Sequence, residues 1–263
     1  MVIRNDAEAS YKSLPRDNGS RIVTTAMEEW VKVASDKTLA KRLASNMLNN
    51  EWTRRKTVQM IDMNLEAEFW LATGEVPSCV DIMRKLHPPD GDPWGLGADH
   101  VGHSRARMEF IKGFGLPIPC LELIEAIKTE GPSVELGAGS GYLAALVNKC
   151  GGSVLPTDNY AGGYFFEISF HMKVIRLAAS TAVERFPNIP VLISWPSFRA
   201  KWPSRIANRL KPGNRLLYIG ENGGCTACYS FENILLRKFK EVKRVSIPQW
   251  DGMHDHLRIF EKE

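Results

Sequence analysis

Long hydrophobic runs are missing from this 263-residue sequence. No stretch approaches the uncharged length that spans a bilayer, and the first twenty-odd residues hold no apolar h-region, so the expectation is a soluble chain with no membrane partner. Charge of one sign is scarce too: 34 basic against 30 acidic residues leave a formal +4. That is too little for the electrostatic footprint of a dedicated nucleic-acid binder. Residues 1–130 carry 17 basic and 19 acidic side chains, so that region offers no basic surface either. Cysteine is sparse: Cys79, Cys120, Cys150, Cys225 and Cys228 make an odd number without framework spacing. This excludes a disulfide-stapled miniprotein and fits a reducing compartment, so the expected location is the cytoplasm. Cys225-Thr-Ala-Cys228 has half-zinc-site spacing, yet a structural zinc needs four ligands and the other cysteines are scattered, so no metal is expected. The bland reading is a turn that caps a helix at Tyr229–Phe239. No repeat or low-complexity block is present. What remains is 44% hydrophobic and 24% charged, the composition of a globular chain of one large domain or two modest ones.

The apolar pattern divides the chain. Thr25-Ala-Met-Glu28 reads as a capping box followed by Met27, Trp30, Val31 and Ala34 at helical spacing. Further helices are predicted at about Lys37–Asn49 and at Lys56–Thr73, the second ending at Gly74. Ser78-Cys-Val-Asp81 opens a short one that must stop before Pro88-Pro89. His87–Arg107, dense in Gly, Pro and Asp, reads as a long loop of the kind used as lids. No strand alternation precedes about residue 130. From Ser133 short apolar runs alternate with helices, as in a parallel α/β sheet. The candidate strands are Ser133–Leu136, Ser153–Thr157, Lys173–Leu177, Val191–Trp195, Arg215–Gly220, Val242–Ile247 and His256–Phe260. Only eight residues join the last two, too few for a crossover helix, so these two should run antiparallel.

The strongest local signal is Val134-Glu-Leu-Gly-Ala-Gly-Ser-Gly-Tyr-Leu143, a strand that enters alternate glycines and then a helix at Tyr142–Lys149. Alternate glycines let the backbone turn sharply and approach a ligand at a helix N-terminus. Asp158, at the end of the next strand, can accept hydrogen bonds from a ribose diol. A dinucleotide fold would want G-x-G-x-x-G, but the sixth position is Tyr142, too bulky for the close helix–strand contact of the third glycine. The spacing favours a nucleoside over a pyrophosphate.

From about Gly115 to Glu263 the chain resembles the class I S-adenosylmethionine-dependent methyltransferases. The resemblance rests on Glu135, Gly137, Gly139 and Gly141, on Asp158, on Leu210–Glu221 as the family's fifth strand, and on the closing antiparallel pair. It implies an α/β fold with a seven-stranded, mostly parallel, Rossmann-like sheet of order 3-2-1-4-5-7-6. It further implies a cofactor, S-adenosylmethionine, with its methionine moiety over the glycine loop and its ribose on Asp158. The chain departs from the pattern at Ala178-Ala179, where the family has an acidic or polar contact to the adenine. Ser194-Trp-Pro-Ser-Phe198 is similar to the [D/N]-P-P-[Y/F/W] loop of amino-methylating members but lacks the second proline. The organisation that follows is a helical cap or lid at 1–114 and a cofactor-binding domain at 115–263.

In open α/β sheets ligands lie outside the carboxyl ends of the strands, which ranks the remaining residues. Cofactor contacts are expected from Glu135, Gly137, Ala138, Gly139, Gly141, Tyr142, Asp158, Asn159, Trp195 and Ser197. Catalytic candidates are His254 as a base that titrates near neutrality, Glu221 as alternative base or amine anchor, and Tyr160 facing the sulfonium by a cation–π contact. Phe165 and Phe166 are assigned to the core, and His100 and His103 to surface loop. The expected reaction is in-line methyl transfer to a small-molecule acceptor, with a homodimer as the candidate assembly. Two alternatives stay open. One is a cyclase or lyase that consumes the sulfonium itself and releases 5′-methylthioadenosine, as azetidine-2-carboxylate synthases do, with Asn159, Tyr160, Ser197 and Asn222 around the chain. The other is a non-catalytic subunit, against which the intact glycines and Asp158 count.

Overall fold

The computed structural model describes residues 63–86, 107, 110–161, 170–222, 225–250 and 252–263. The helices expected at 25–34 and 37–49, most of the 87–107 loop with His100 and His103, and Phe165 and Phe166 lie outside the described residues.

Seven strands form one sheet: β1 (Ser133–Leu136), β2 (Val154–Asp158), β3 (Ile175–Arg176), β4 (Val191–Ser194), β5 (Arg215–Gly220), β6 (Phe239–Ser246) and β7 (His256–Lys262). Their order is 3-2-1-4-5-7-6, with β7 antiparallel to both β5 and β6 and the other pairings parallel. This is the α/β methyltransferase-like fold. β4 meets an apolar cluster on each face, Leu192 on one side and Val191 and Ile193 on the other, which is why it reads as a short unbroken apolar run, whereas the buried β1 carries Glu135 between Val134 and Leu136. β6 departs most from its expected span. It begins at Phe239, directly after a helix, and its pairing with β7 shifts register between Glu241 and Lys243, which scrambles the period-2 pattern.

The helices are α1 (Cys79–Leu86), α2 (Leu121–Thr129), α3 (Tyr142–Lys149), α4 (Ala179–Arg185), α5 (Trp202–Arg209) and α6 (Tyr229–Lys238), with further helical residues at 63–73 and 110–114. α1 starts where Ser78 Oγ accepts the Asp81 backbone N–H at 3.2 Å and donates to Asp81 Oδ2 at 2.6 Å, a reciprocal cap. Two apolar clusters cover the two faces. Val134, Leu136, Ile193, Leu216 and Tyr218 meet α4, α5 and α6 on one side. On the other, Leu192, Leu217, Leu257 and Ile259 join α2, α3, α1 and the helical residues 63–73 and 110–114, so one apolar cluster extends across position 114/115. The Tyr142 hydroxyl donates to the Ala67 carbonyl at 3.0 Å within it.

Candidate functional site

The glycine turn is built by its neighbour strand. The Gly137 and Ala138 N–H groups both donate to the Thr157 carbonyl of β2 at 2.9 and 3.0 Å, and the Gly139 N–H donates to Asp158 Oδ2 at 3.0 Å. Gly137, Gly139 and Gly141 have φ of +76°, +54° and +73°, which side chains rarely tolerate. The glycines differ in purpose. A Cβ on Gly141 would lie 2.8 Å from Val174 Cγ2 and 3.2 Å from Met172 Cγ, so packing demands that residue. A Cβ on Gly137 would meet only the Trp202 ring at 3.5 Å, an ordinary contact, and Gly137 borders a cavity.

Gly141 is the N-cap of α3 and supplies no side chain to it. Glu135 reaches from β1 instead, accepting the Ala144 backbone N–H, while its Oε2 has no partner and is buried. Burial above all, then the nearby Asp158 carboxylate, pushes the Glu135 carboxyl up to about 8, against the pull of the Ala144 amide. Asp158, also buried, accepts from Gly139 through Oδ2 and from the Tyr160 N–H through Oδ1 at 2.7 Å. The chain turns at Tyr160, φ +54°, whose ring meets Phe170 edge-on at 5.8 Å. Exposed Asn159 closes the turn by accepting the Ala161 N–H at 3.1 Å.

A cavity of about 600 Å³ runs along the carboxyl ends of β2, β1 and β4. Gly137, Asp158 and Asn159 border it at one end, and Ser194, Trp195, Pro196 and Ser197 at the other. Leu177, Ala178, Trp202 and Ile206 make an apolar wall, with Arg205 and Arg209 also at its border. Sequence reasoning missed the α5 contribution because no motif marks which helix face turns to a ligand.

Beyond the cavity, the next strand ends are tied into one rim. Trp195, at φ +44° an outlier for a bulky residue, donates its backbone N–H to the Ile219 carbonyl and its indole Nε1 to Asp255 Oδ2, both at 2.8 Å. Backbone bonds Arg199 N to Ala227 O (2.7 Å) and Ala227 N to Pro196 O (3.2 Å) join the loop after β4 to the turn of Cys225 and Cys228. Cys228 holds the N-cap position of α6 without a side-chain cap bond. Glu221 accepts the His254 backbone N–H at 2.7 Å and lies 3.8 Å from His254 Nδ1. The His254 side chain is 83% exposed and that of Glu221 10%. Asp255 is buried with Oδ1 unpartnered. Burial pushes it up to about 6 although Trp195 and its own backbone amide pull the other way.

Of the expected cofactor contacts, Gly137, Asp158, Asn159, Trp195 and Ser197 border one cavity. Glu135, Ala138, Gly139 and Gly141 form the turn behind it, and the Tyr142 ring is buried against Phe114 and His171. Glu221 and His254 come together at the rim, whereas Tyr160 belongs to the turn after β2. The start of β7 brings 254–256 to this edge, as the sequence places them, and Asp255 rather than His254 is the one that is buried, which sequence alone does not show. Among the described residues no three His, Cys, Asp or Glu side chains converge as a metal site.

No family model and no curated protein matches this chain. Among solved structures it is similar to the N-methyltransferase NodS from Bradyrhizobium japonicum in complex with S-adenosylhomocysteine, at 15% identity and TM-score 0.31 over 69% of this chain and 97% of that one. It is similar also to the mitomycin 7-O-methyltransferase MmcR, at 17% identity and TM-score 0.31 over 86% and 71%. Human N-acetylserotonin methyltransferase in complex with S-adenosylmethionine matches at 14% identity and TM-score 0.31 over 78% and 70%. At such scores these likenesses carry no argument, and the fold rests on the strand order itself.

Proposed function

We propose that this chain is an S-adenosylmethionine-dependent methyltransferase acting on a small-molecule acceptor. One observation carries the reading: Gly137 of the glycine turn and the Asp158 carboxylate border one cavity at the carboxyl edge of the sheet, with a buried, partnerless Glu135 oxygen behind them. The fit to the cofactor is chemical. An ammonium would answer the Glu135–Asp158 pair, a ribose diol would find remaining lone pairs on Asp158, and a flat adenine suits the wall of Leu177, Ala178, Trp202 and Ile206. The bound cofactor would supply a methyl group on a sulfonium sulfur. The chain's own work is then to hold donor and acceptor in line and keep water out, with Trp195 and Ser197 at the cavity end nearest the rim, Glu221 and His254 as the groups proposed to act there, and Tyr160 proposed to act from the turn after β2. The near balance of charge over residues 1–130, which contain the proposed cap, supports a small acceptor rather than nucleic acid.

The test is to incubate the purified chain with S-adenosylmethionine alone and identify adenosine-containing products by mass spectrometry, beside an Asp158→Ala control. The expected result is intact cofactor retained by the wild type, with affinity lowered roughly tenfold or more in the variant, the scale of hydrogen bonds to a charged group. Release of 5′-methylthioadenosine would replace methyl transfer with intramolecular displacement, and no binding would remove the cofactor altogether.

A further inference from the structure

The carboxyl edge of the sheet presents its groups in strand order: Asp158 at the end of β2, Gly137 just after β1, Trp195 just after β4, then Glu221 just after β5 and Asp255 just before β7. With strands about 4.8 Å apart, Asp158 and Glu221 stand roughly 14 Å from one another along that edge, with Trp195 between them. A cofactor with its ribose at Asp158 and its amino acid over the glycines therefore brings its reacting end toward Trp195, and the next groups along are the two acids. Asp255 is buried, one oxygen fixed by the Trp195 indole and the other without any donor. A buried acceptor left open calls for a donor from outside the chain. Glu221 is close enough to disfavour the charge on Asp255, which His256 favours more weakly, and the His254 side chain beside Glu221 stands mostly in solvent.

We propose that Glu221 and Asp255 form the acceptor subsite of this enzyme and that it takes an amine. The proposal rests on the methyltransferase reading and narrows its substrate class. In the reaction the acceptor nitrogen's lone pair forms the N–C bond as the S–C bond breaks with its electrons staying on sulfur. The proton shed by the nitrogen passes to one of the two carboxylates. Burial that holds Asp255 near 6 matches a group able to accept that proton in neutral solution.

The full chain is titrated by calorimetry with S-adenosylhomocysteine and with sinefungin, whose amine stands where the sulfonium carries its methyl. Wild type is expected to bind sinefungin roughly tenfold or more tightly, the size of one hydrogen bond to a charged group. Asp255→Asn keeps the shape and the acceptor for Trp195, and Glu221→Gln is the independent second variant. Each should erase most of the preference while holding S-adenosylhomocysteine affinity within about twofold. Homocysteine analogue binding without any sinefungin preference, or a preference that survives both variants, overturns the amine subsite alone. Failure of wild type to bind either compound overturns the methyltransferase reading beneath it.

Discussion

Glu135 is the residue at which burial and charge conflict most sharply. In an unfolded chain its carboxyl loses its proton near the ordinary 4.5, whereas in the fold it keeps it up to about 8. Between those values the folded state binds the extra proton, so stability falls as pH rises from about 4.5 to 8 and levels off above. At about 1.4 kcal/mol per unit the whole effect reaches a few kcal/mol. Glu135→Gln removes the slope: its urea midpoint should gain on that of the wild type as pH is raised from 5 to 8. Parallel midpoints across that range would show that Glu135 ionises freely. The glycines give a second contrast. Gly141→Ala forces a Cβ to 2.8 Å from Val174, whereas Gly137→Ala adds only the strain of a positive φ, about 1 kcal/mol. Thermal melts should therefore rank Gly141→Ala as the more damaging, by about 1–3 kcal/mol of overpacking, and the reverse order would contradict the geometry. Such residues were legible as a motif because the turn allows so few residue types. His254 and Asp255 were not separable in that way, since burial, which sequence does not state, belongs to the aspartate and not to the histidine.

At the scale of elements, the parallel strands came through best. β1 and β5 match their expected spans and α3 matches to the residue, because their apolar positions end abruptly at glycines and polar turns. β6 starts three residues before its expected Val242, since its length is set by pairing with β7 as far as Lys262, a long-range cause with no local mark. Arg258 holds these last elements together. Its side chain, 4% exposed, bonds Glu232 of α6 at 2.9 Å and Glu241 of β6 at 3.0 Å, bonds Asn222 after β5, and lies over the Phe260 ring at 4.6 Å. Nothing in the chain order announces that convergence. Arg258→Ala leaves Glu232 without its cation and Glu241 with Arg244 alone, at a cost of about 3–5 kcal/mol where such a pair is fully buried. The lower end is expected here, because Glu232 and Glu241 are 23% and 27% exposed and keep some water. Chemical denaturation checks this through a lowered midpoint with an unchanged slope; a loss within about 0.5 kcal/mol would place Arg258 among ordinary surface residues.

For the whole molecule, strands begin at Ser133, while the proposed boundary between cap and cofactor domain stands at 114/115, where the family resemblance starts. The apolar core crosses that line. Trp70, Ile82, Leu86, Phe110 and Phe114 are buried in the same cluster as Ile124, Tyr142, Leu146, Leu217 and Ile259. Polar bonds cross it too, from Tyr142 to Ala67 and from Gln249 N–H to Met83 Sδ at 3.3 Å. At about 1.5–3 kcal/mol for each large apolar side chain, those five contribute on the order of 7–15 kcal/mol, as much as the entire net stability of a typical domain. A fragment of residues 115–263 should therefore keep its strand-forming sequence yet lose its cooperative melt and its near-ultraviolet circular dichroism. A cooperative fragment that still binds S-adenosylhomocysteine would show instead that the sheet folds alone and that the preceding helices serve only as a cover. The sequence pattern cannot decide between these, because an amphipathic helix reads the same whether its apolar face closes over a ligand or completes the core of the sheet beneath it.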